Sequence, residues 1–149
     1  MQPRLNPYPL ATEPMKLMMA MEAYLSSRLP ADLIHLVKLR ASQLNGCAFC
    51  IEMHTRESLR DGLLPAKLLL LSAWQESSAF TVRERAALRW TEALTELSRT
   101  RAPDGAWEAV CGAFSEQEVV DLTCLINQIN SWNRIAVGFR SQHPALSGG

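Results

Sequence analysis

The stretch Leu39-Arg40-Ala41-Ser42-Gln43-Leu44-Asn45-Gly46-Cys47-Ala48-Phe49-Cys50-Ile51-Glu52-Met53-His54 decides how this chain is read. The residues up to Leu44 continue a helical pattern that Pro30 opens. Asn45-Gly46 is a turn signal that ends it. A second helix therefore starts at Cys47, where the unpaired N–H groups of a first turn favour an anion. Cys50 follows three residues on and His54 a further four. His54 thus shares a helical face with Cys50, with Cβ atoms about 5–6 Å apart. Two thiols and a base are gathered at one helix start.

The sulfurs suit redox chemistry at this position better than mid-helix. Disulfides favour Cα separations of about 5.5–6 Å, which an i, i+3 pair meets, but their Cβ atoms must approach to about 3.5–4.5 Å. The less constrained first turn allows that approach. A helix N-terminus is worth about 0.3–1 kcal/mol to an anion, less than one pKa unit. It cannot by itself bring a thiol from about 8.5 to well below neutrality, so a charged or hydrogen-bonding partner must supply the rest, and His54 can do so for Cys50. Three readings compete: a redox-active dithiol, a structural zinc site, and two ordinary helix thiols. Zinc needs four ligands; Cys47, Cys50 and His54 are three, and His35 is the available fourth. A c-type haem site is excluded because Ile51, not His, follows Cys50. No βαβ pattern surrounds the motif, which argues against a thioredoxin fold.

Outward from this stretch, 149 residues with 48% apolar and 20% charged composition describe one globular domain. The longest leucine-rich run, Leu68 to Leu71, is far too short to span a bilayer. Fifteen basic residues balance fifteen acidic ones, so neither nucleic acid nor a membrane is an expected partner. The N-terminus lacks a signal-peptide layout, and a cytoplasmic location is the expectation. Residues 1–12, with Pro3, Pro7 and Pro9, read as an extended arm. Residues 13–140 read as an all-α domain of six to eight helices, and residues 141–149 as a frayed tail. Helices are expected over 13–28, 30–44, 47–62, 65–74, 81–98, 103–112 and from 115 onward. Thr81 with Glu84 and Ser115 with Glu118 have capping-box spacing, and Phe114 can staple onto Val119.

The Leu39 to Cys50 stretch, followed by His54-Thr55-Arg56, resembles the alkylhydroperoxidase AhpD-like core of the carboxymuconolactone decarboxylase superfamily. Trp74, Glu84-Arg85-Ala86-Ala87-Leu88 and Asn130-Ser131-Trp132-Asn133-Arg134 match one branch of it. The resemblance implies an AhpD-like helical bundle, homo-oligomers (trimers or hexamers) and thiol-dependent peroxide reduction without metal or organic cofactor. It implies that Cys50 is peroxidatic, that Cys47 resolves and that His54 belongs to a proton relay. The relay usually includes a Glu twelve residues before the first Cys, where this chain has His35. On its helix His35 shares a stripe with Leu39 and Ser42, so it either joins the relay or packs in the core.

Glu52 is expected on an outer face, Glu92 is a lesser candidate for the site, and Cys111 and Cys124 are expected to be buried and inert. The reading is a thiol peroxidase acting on a hydroperoxide and regenerated by a dithiol protein or small thiol. Its rivals are a carboxymuconolactone-type decarboxylase, whose chemistry does not need two thiols, and a non-enzymatic redox-sensing or zinc-stabilised oligomer.

Overall fold

The computed structural model describes residues 2–144, and every regular element among them is helical. In chain order they are α1 (Pro7–Leu10), α2 (Thr12–Leu25), α3 (Ala31–Leu44), α4 (Ala48–Arg60), α5 (Pro65–Leu70), a 3-10 helix (Leu71–Glu76), α6 (Val82–Thr95), α7 (Leu97–Thr100), α8 (Asp104–Ala113) and α9 (Glu116–Phe139). The all-α expectation holds, and the single turns α1 and α7 account for the count above eight. Residues 145–149 of the expected tail lie outside the described residues.

Local chemistry explains where elements begin. Thr81 accepts the Glu84 N–H, and the Glu84 carboxylate takes the Thr81 N–H at 2.8 Å, so the first capping box is complete. Ser115 and Glu118 make the second. Phe114 and Val119 both enter the main core, as a staple requires.

Three expectations need correction. The arm is not wholly extended: Asn6 accepts the Tyr8 N–H and Pro7 takes the first helical position, which closes α1. The helix expected over 65–74 divides into α5 and the 3-10 helix. There Arg85 donates to the carbonyls of Trp74, Gln75 and Ser77, binding acceptors that a continuing helix would have used. The helix expected over 81–98 breaks at Glu96, and the Thr100 hydroxyl donates back to Ala93 O.

Buried α3 is the centre, packing against α4, α6 and α9. The main core joins Leu33, Ile34 and Val37 of α3 to Trp90 of α6 and to Leu122, Leu125 and Ile126 of α9. A second core places Leu36 and Leu39 against Leu71, Trp74, Phe80 and Leu88. Glu92 ties three elements together: it accepts from Trp74 Nε1 at 2.7 Å, Arg40 Nε at 2.8 Å and Gln75 Nε2 at 3.2 Å. It is a structural hub, and it does not line the cavity described below.

The α3–α4 junction is a Schellman turn. Cys47 N–H reaches Ser42 O at 3.0 Å and Gly46 N–H reaches Gln43 O at 3.2 Å. Gly46 holds φ +64°, and a Cβ there would meet nothing within 4 Å. Gly46→Ala therefore adds backbone strain and no clash. It should cost about 1–2 kcal/mol of stability, read as a lower urea midpoint with an unchanged slope. An unshifted midpoint would show that the turn does not need its left-handed residue.

Candidate active site

Cys47 is the N-cap of α4, and its Sγ accepts the Cys50 N–H at 3.3 Å. The two sulfurs lie at bonding distance as a disulfide, with Cα atoms 5.3 Å apart. Both residues are buried, at 1% and 2% exposure. A cavity of 580 Å³ stands over them; Cys50 is on its wall and Cys47 is behind it.

His54 is on the same wall at 4% exposure. Its Nδ1 lies 3.1 Å from Glu57 Oε2, while its Nε2 is buried without a protein partner. The hydrogen bond from His54 holds the Glu57 carboxyl below its ordinary value of 4.5 against the opposing pull of burial, and the charges of His54, Lys38 and Arg60 act in the same direction. Lys38 of α3 pairs with Glu22 of α2, and both side chains reach the cavity. One end of the cavity is therefore ionic and sits beside a thiol.

The other walls are apolar. Phe49 and Met53 come from α4, and Trp132, Ile135 and Phe139 from α9. The N-terminal arm, Pro3 to Tyr8, completes the enclosure. Arg4 pins it by giving its backbone N–H to Phe139 O at 3.0 Å and a guanidinium N–H to Gly138 O at 2.9 Å.

Cys47, Cys50 and His54 are thus brought together. His35 is not on this cavity: its Nε2 is 2.9 Å from Asp61 Oδ2 at the end of α4. The reason is topological. α3 runs toward the Gly46 turn and α4 away from it, so a residue near the start of α3 meets the end of α4. Among the described residues no group of three or more His, Cys, Asp or Glu is placed to hold a metal ion, and the fourth ligand of the zinc alternative is engaged by Asp61. Glu52, expected on an outer face, is half-buried: it accepts from Arg56 Nε at 3.0 Å, and its Oε2 is buried without a protein partner. Cys111 is exposed and Cys124 half-buried, which corrects the expectation that both are buried.

Sequence reasoning missed Glu57, Lys38 and Glu22, and it read the arm without placing it on the cavity. Glu57 had a readable signal, because Cys50, His54 and Glu57 follow the i, i+4, i+7 stripe of one helix. Glu22 and Lys38 meet only through the packing of α2 near α3, for which no local pattern exists.

The model of the carboxymuconolactone decarboxylase family matches residues 12–93, which contain the whole dithiol motif. The chain belongs to this family. Its relatives include the uncharacterized protein YdfG of Bacillus subtilis (strain 168), 41% identical over 138 residues that span 92% of this chain and 94% of YdfG. Among solved structures, a protein of unknown function from Agrobacterium tumefaciens, provisionally assigned to antioxidant defence as AhpD, superposes with TM-score 0.93. It is 50% identical, over 97% of this chain and 99% of that one. The debrominase Bmp8, solved with 2,3,4-tribromopyrrole, gives TM-score 0.79 over 87% and 70% of the two chains; at 18% identity this is a likeness of fold. The AhpD-like resemblance and the all-helical class therefore stand. No helix among the described residues is long and apolar enough to cross a membrane.

The Glu57–His54 pair sets a pH dependence of stability. A carboxyl held below its ordinary value stabilises the fold above pH 4.5, and that contribution is lost as pH falls through the depressed value. Glu57 is partly exposed, so solvent screening limits the effect to about 0.5 kcal/mol. Glu57→Gln should be less stable than wild type by that amount at about pH 7 and equal to it at a pH below the depressed value, in urea melts. The same gap at both pH values would show that shape, not charge, accounts for the pair.

Proposed function

We propose that this chain is a thiol-dependent peroxidase acting on bulky, apolar organic hydroperoxides. One observation carries the reading: a bondable dithiol whose second sulfur faces a largely apolar cavity beside the unpartnered Nε2 of His54. A cavity of 580 Å³ lies within the range of about 300–1,000 Å³ typical of organic ligands. Hydrogen peroxide is little larger than a water molecule, whose share of liquid volume is about 30 Å³, and would leave most of this space unfilled.

The cycle balances with the residues at hand. The Cys50 thiol passes its proton to His54 Nε2, and the thiolate attacks the terminal oxygen of the hydroperoxide. An S–O bond forms, the O–O bond breaks, and the departing alkoxide recovers the proton from His54 as an alcohol. Cys50 is now a sulfenic acid. The Cys47 sulfur attacks it, the S–O bond breaks, and water leaves with the Cys47 proton. An external dithiol protein or small thiol then reduces the Cys47–Cys50 disulfide by two successive exchanges, becoming a disulfide itself. Burial of both sulfurs requires that reductant to enter through the cavity or to meet an opened site. No metal or organic cofactor takes part. A reducing cytoplasm is the compartment that supplies such thiols.

The decarboxylation for which the family is named makes no use of two thiols, so the pair at the cavity favours the redox reading. Assembly into a trimer or hexamer is part of the proposal. Leu17, Met19 and Met21 of α2 are exposed apolar side chains that a second copy would cover.

Cys50→Ser should abolish peroxide consumption. Cys47→Ser should form one sulfenic acid on Cys50 and stall, seen by mass spectrometry after one equivalent of peroxide. Cumene hydroperoxide should give a kcat/KM at least about tenfold above hydrogen peroxide, the scale of apolar-pocket discrimination. Sulfenic acid on Cys47 of the Cys50→Ser protein at the wild-type rate would reverse the assignment. Faster turnover of hydrogen peroxide would remove the argument from cavity size.

A further inference from the structure

The proton relay lacks the carboxylate that the family motif leads one to expect at position 35. A histidine stands there, and its ring is held by Asp61. The cavity nevertheless contains two carboxylates, Glu22 and Glu57. Glu22 is engaged by Lys38 across α2 and α3. Glu57 is the one on the imidazole: its Oε2 stands 3.1 Å from His54 Nδ1. Because that nitrogen donates to a carboxylate, the other one, Nε2, is the lone-pair nitrogen of the neutral ring. Nε2 is buried, has no protein partner and belongs to a side chain on the wall with Cys50.

We propose that Glu57 is the positioning residue of the dithiol site, holding His54 by Nδ1 so that Nε2 is the nitrogen presented to the Cys50 thiol. The proposal rests on the peroxidase reading only for the later fate of the proton. In the step itself the Cys50 S–H bond breaks, the proton binds the lone pair of Nε2, and the electron pair stays on sulfur. The imidazolium then sits between a thiolate and a carboxylate. The spacing makes this a device of one helix: Cys50, His54 and Glu57 are successive members of a single stripe of α4.

Every charged group facing Glu57 has a place in the balance. Arg60, on the same helix, is paired with Asp61, which also takes His35. Lys38 on α3 attracts Glu57 while pairing with Glu22 on α2. Arg4 of the arm and Arg140 after α9 line the same cavity, so its charged lining sets Glu22 and Glu57 against Lys38, Arg4 and Arg140. The carboxylate that meets this imidazole comes from α4 itself, not from position 35.

The test reads the thiol without any peroxide. In reduced Cys47→Ser protein, where serine keeps a helix cap at that position, the iodoacetamide rate of Cys50 is followed from about pH 5 to 9 on its own peptide by mass spectrometry. Adding Glu57→Gln should slow alkylation about tenfold at neutral pH and move the profile upward by about one unit. Glu57→Asp should fall between the two. In wild-type reduced protein, nitrogen-15 NMR should show neutral His54 protonated on Nδ1. A folded Gln variant with an unmoved profile would overturn the proposal, and so would a neutral His54 protonated on Nε2; if the Gln variant fails to fold, the tautomer decides. A shifted thiol profile in a wild-type protein that consumes no peroxide would keep Glu57 in its place and remove the peroxidase reading instead.

Discussion

Asn45 gives its side-chain amide to Asn130 and Asn133 of α9, both at 2.9 Å, while Gly46 beside it turns the chain out of α3. Asn133 in turn donates to the buried Ser42 hydroxyl at 3.0 Å, and Asn130 donates to Thr95 of α6 at 3.0 Å. The last two bonds are buried, where an unmade one costs about 1–3 kcal/mol. They allow one arrangement of the turn relative to α6 and α9. Cys47 can therefore cap α4 with its sulfur, and Cys50 can meet the cavity, only because a polar ladder fixes the last turn of α3. Asn130 and Asn133 of α9 thus act on the turn that carries the dithiol.

Burial of the dithiol creates a problem that the neighbouring charges address. A thiolate loses solvation at 2% exposure. The helix start returns about 0.3–1 kcal/mol, and its nearest N–H is already directed at Cys47. Cys50 depends on a proton acceptor instead. His54 provides one within a helical turn, and Glu57 and the Lys38–Glu22 pair surround it. In the proposed cycle the two sulfurs would have separate sources of anionic stabilisation: the backbone N–H that Cys47 accepts and the imidazole one turn from Cys50. That division suits a cycle in which Cys50 attacks first and Cys47 leaves when the disulfide is reduced.

Features encoded over a few residues could be read from the sequence. Both capping boxes, the Asn-Gly turn, the cysteine at a helix start and the His54 face depend on spacings of one to four residues, and each is present. The helix breaks were not readable, because Arg85 captures three carbonyls from another segment and Arg101 and Ala102 hold positive φ with no glycine to announce it. His35 was misleading for a related reason. Its stripe on α3 was read correctly, but which part of α4 it meets depends on how the two helices run past one another. Exposure of Cys111 also escaped detection, since an apolar side chain looks alike in a sequence whether its partner is the core or something outside the fold.

The two ends of the described chain meet at the cavity. Arg4 supplies donors to the carbonyls of Phe139 and Gly138, which the end of α9 leaves without intrahelical partners. Capping that helix and enclosing the cavity are therefore the same interaction. The dithiol and His54 sit at α4, with charges from α2 and α3, all within the segment that the family model matches. Most of the apolar wall comes from α9 and the arm, which lie outside it. A substitution at Trp132, Ile135 or Phe139 thus changes the apolar part of the cavity wall, whereas one at Lys38 or Glu57 changes the charged part beside His54.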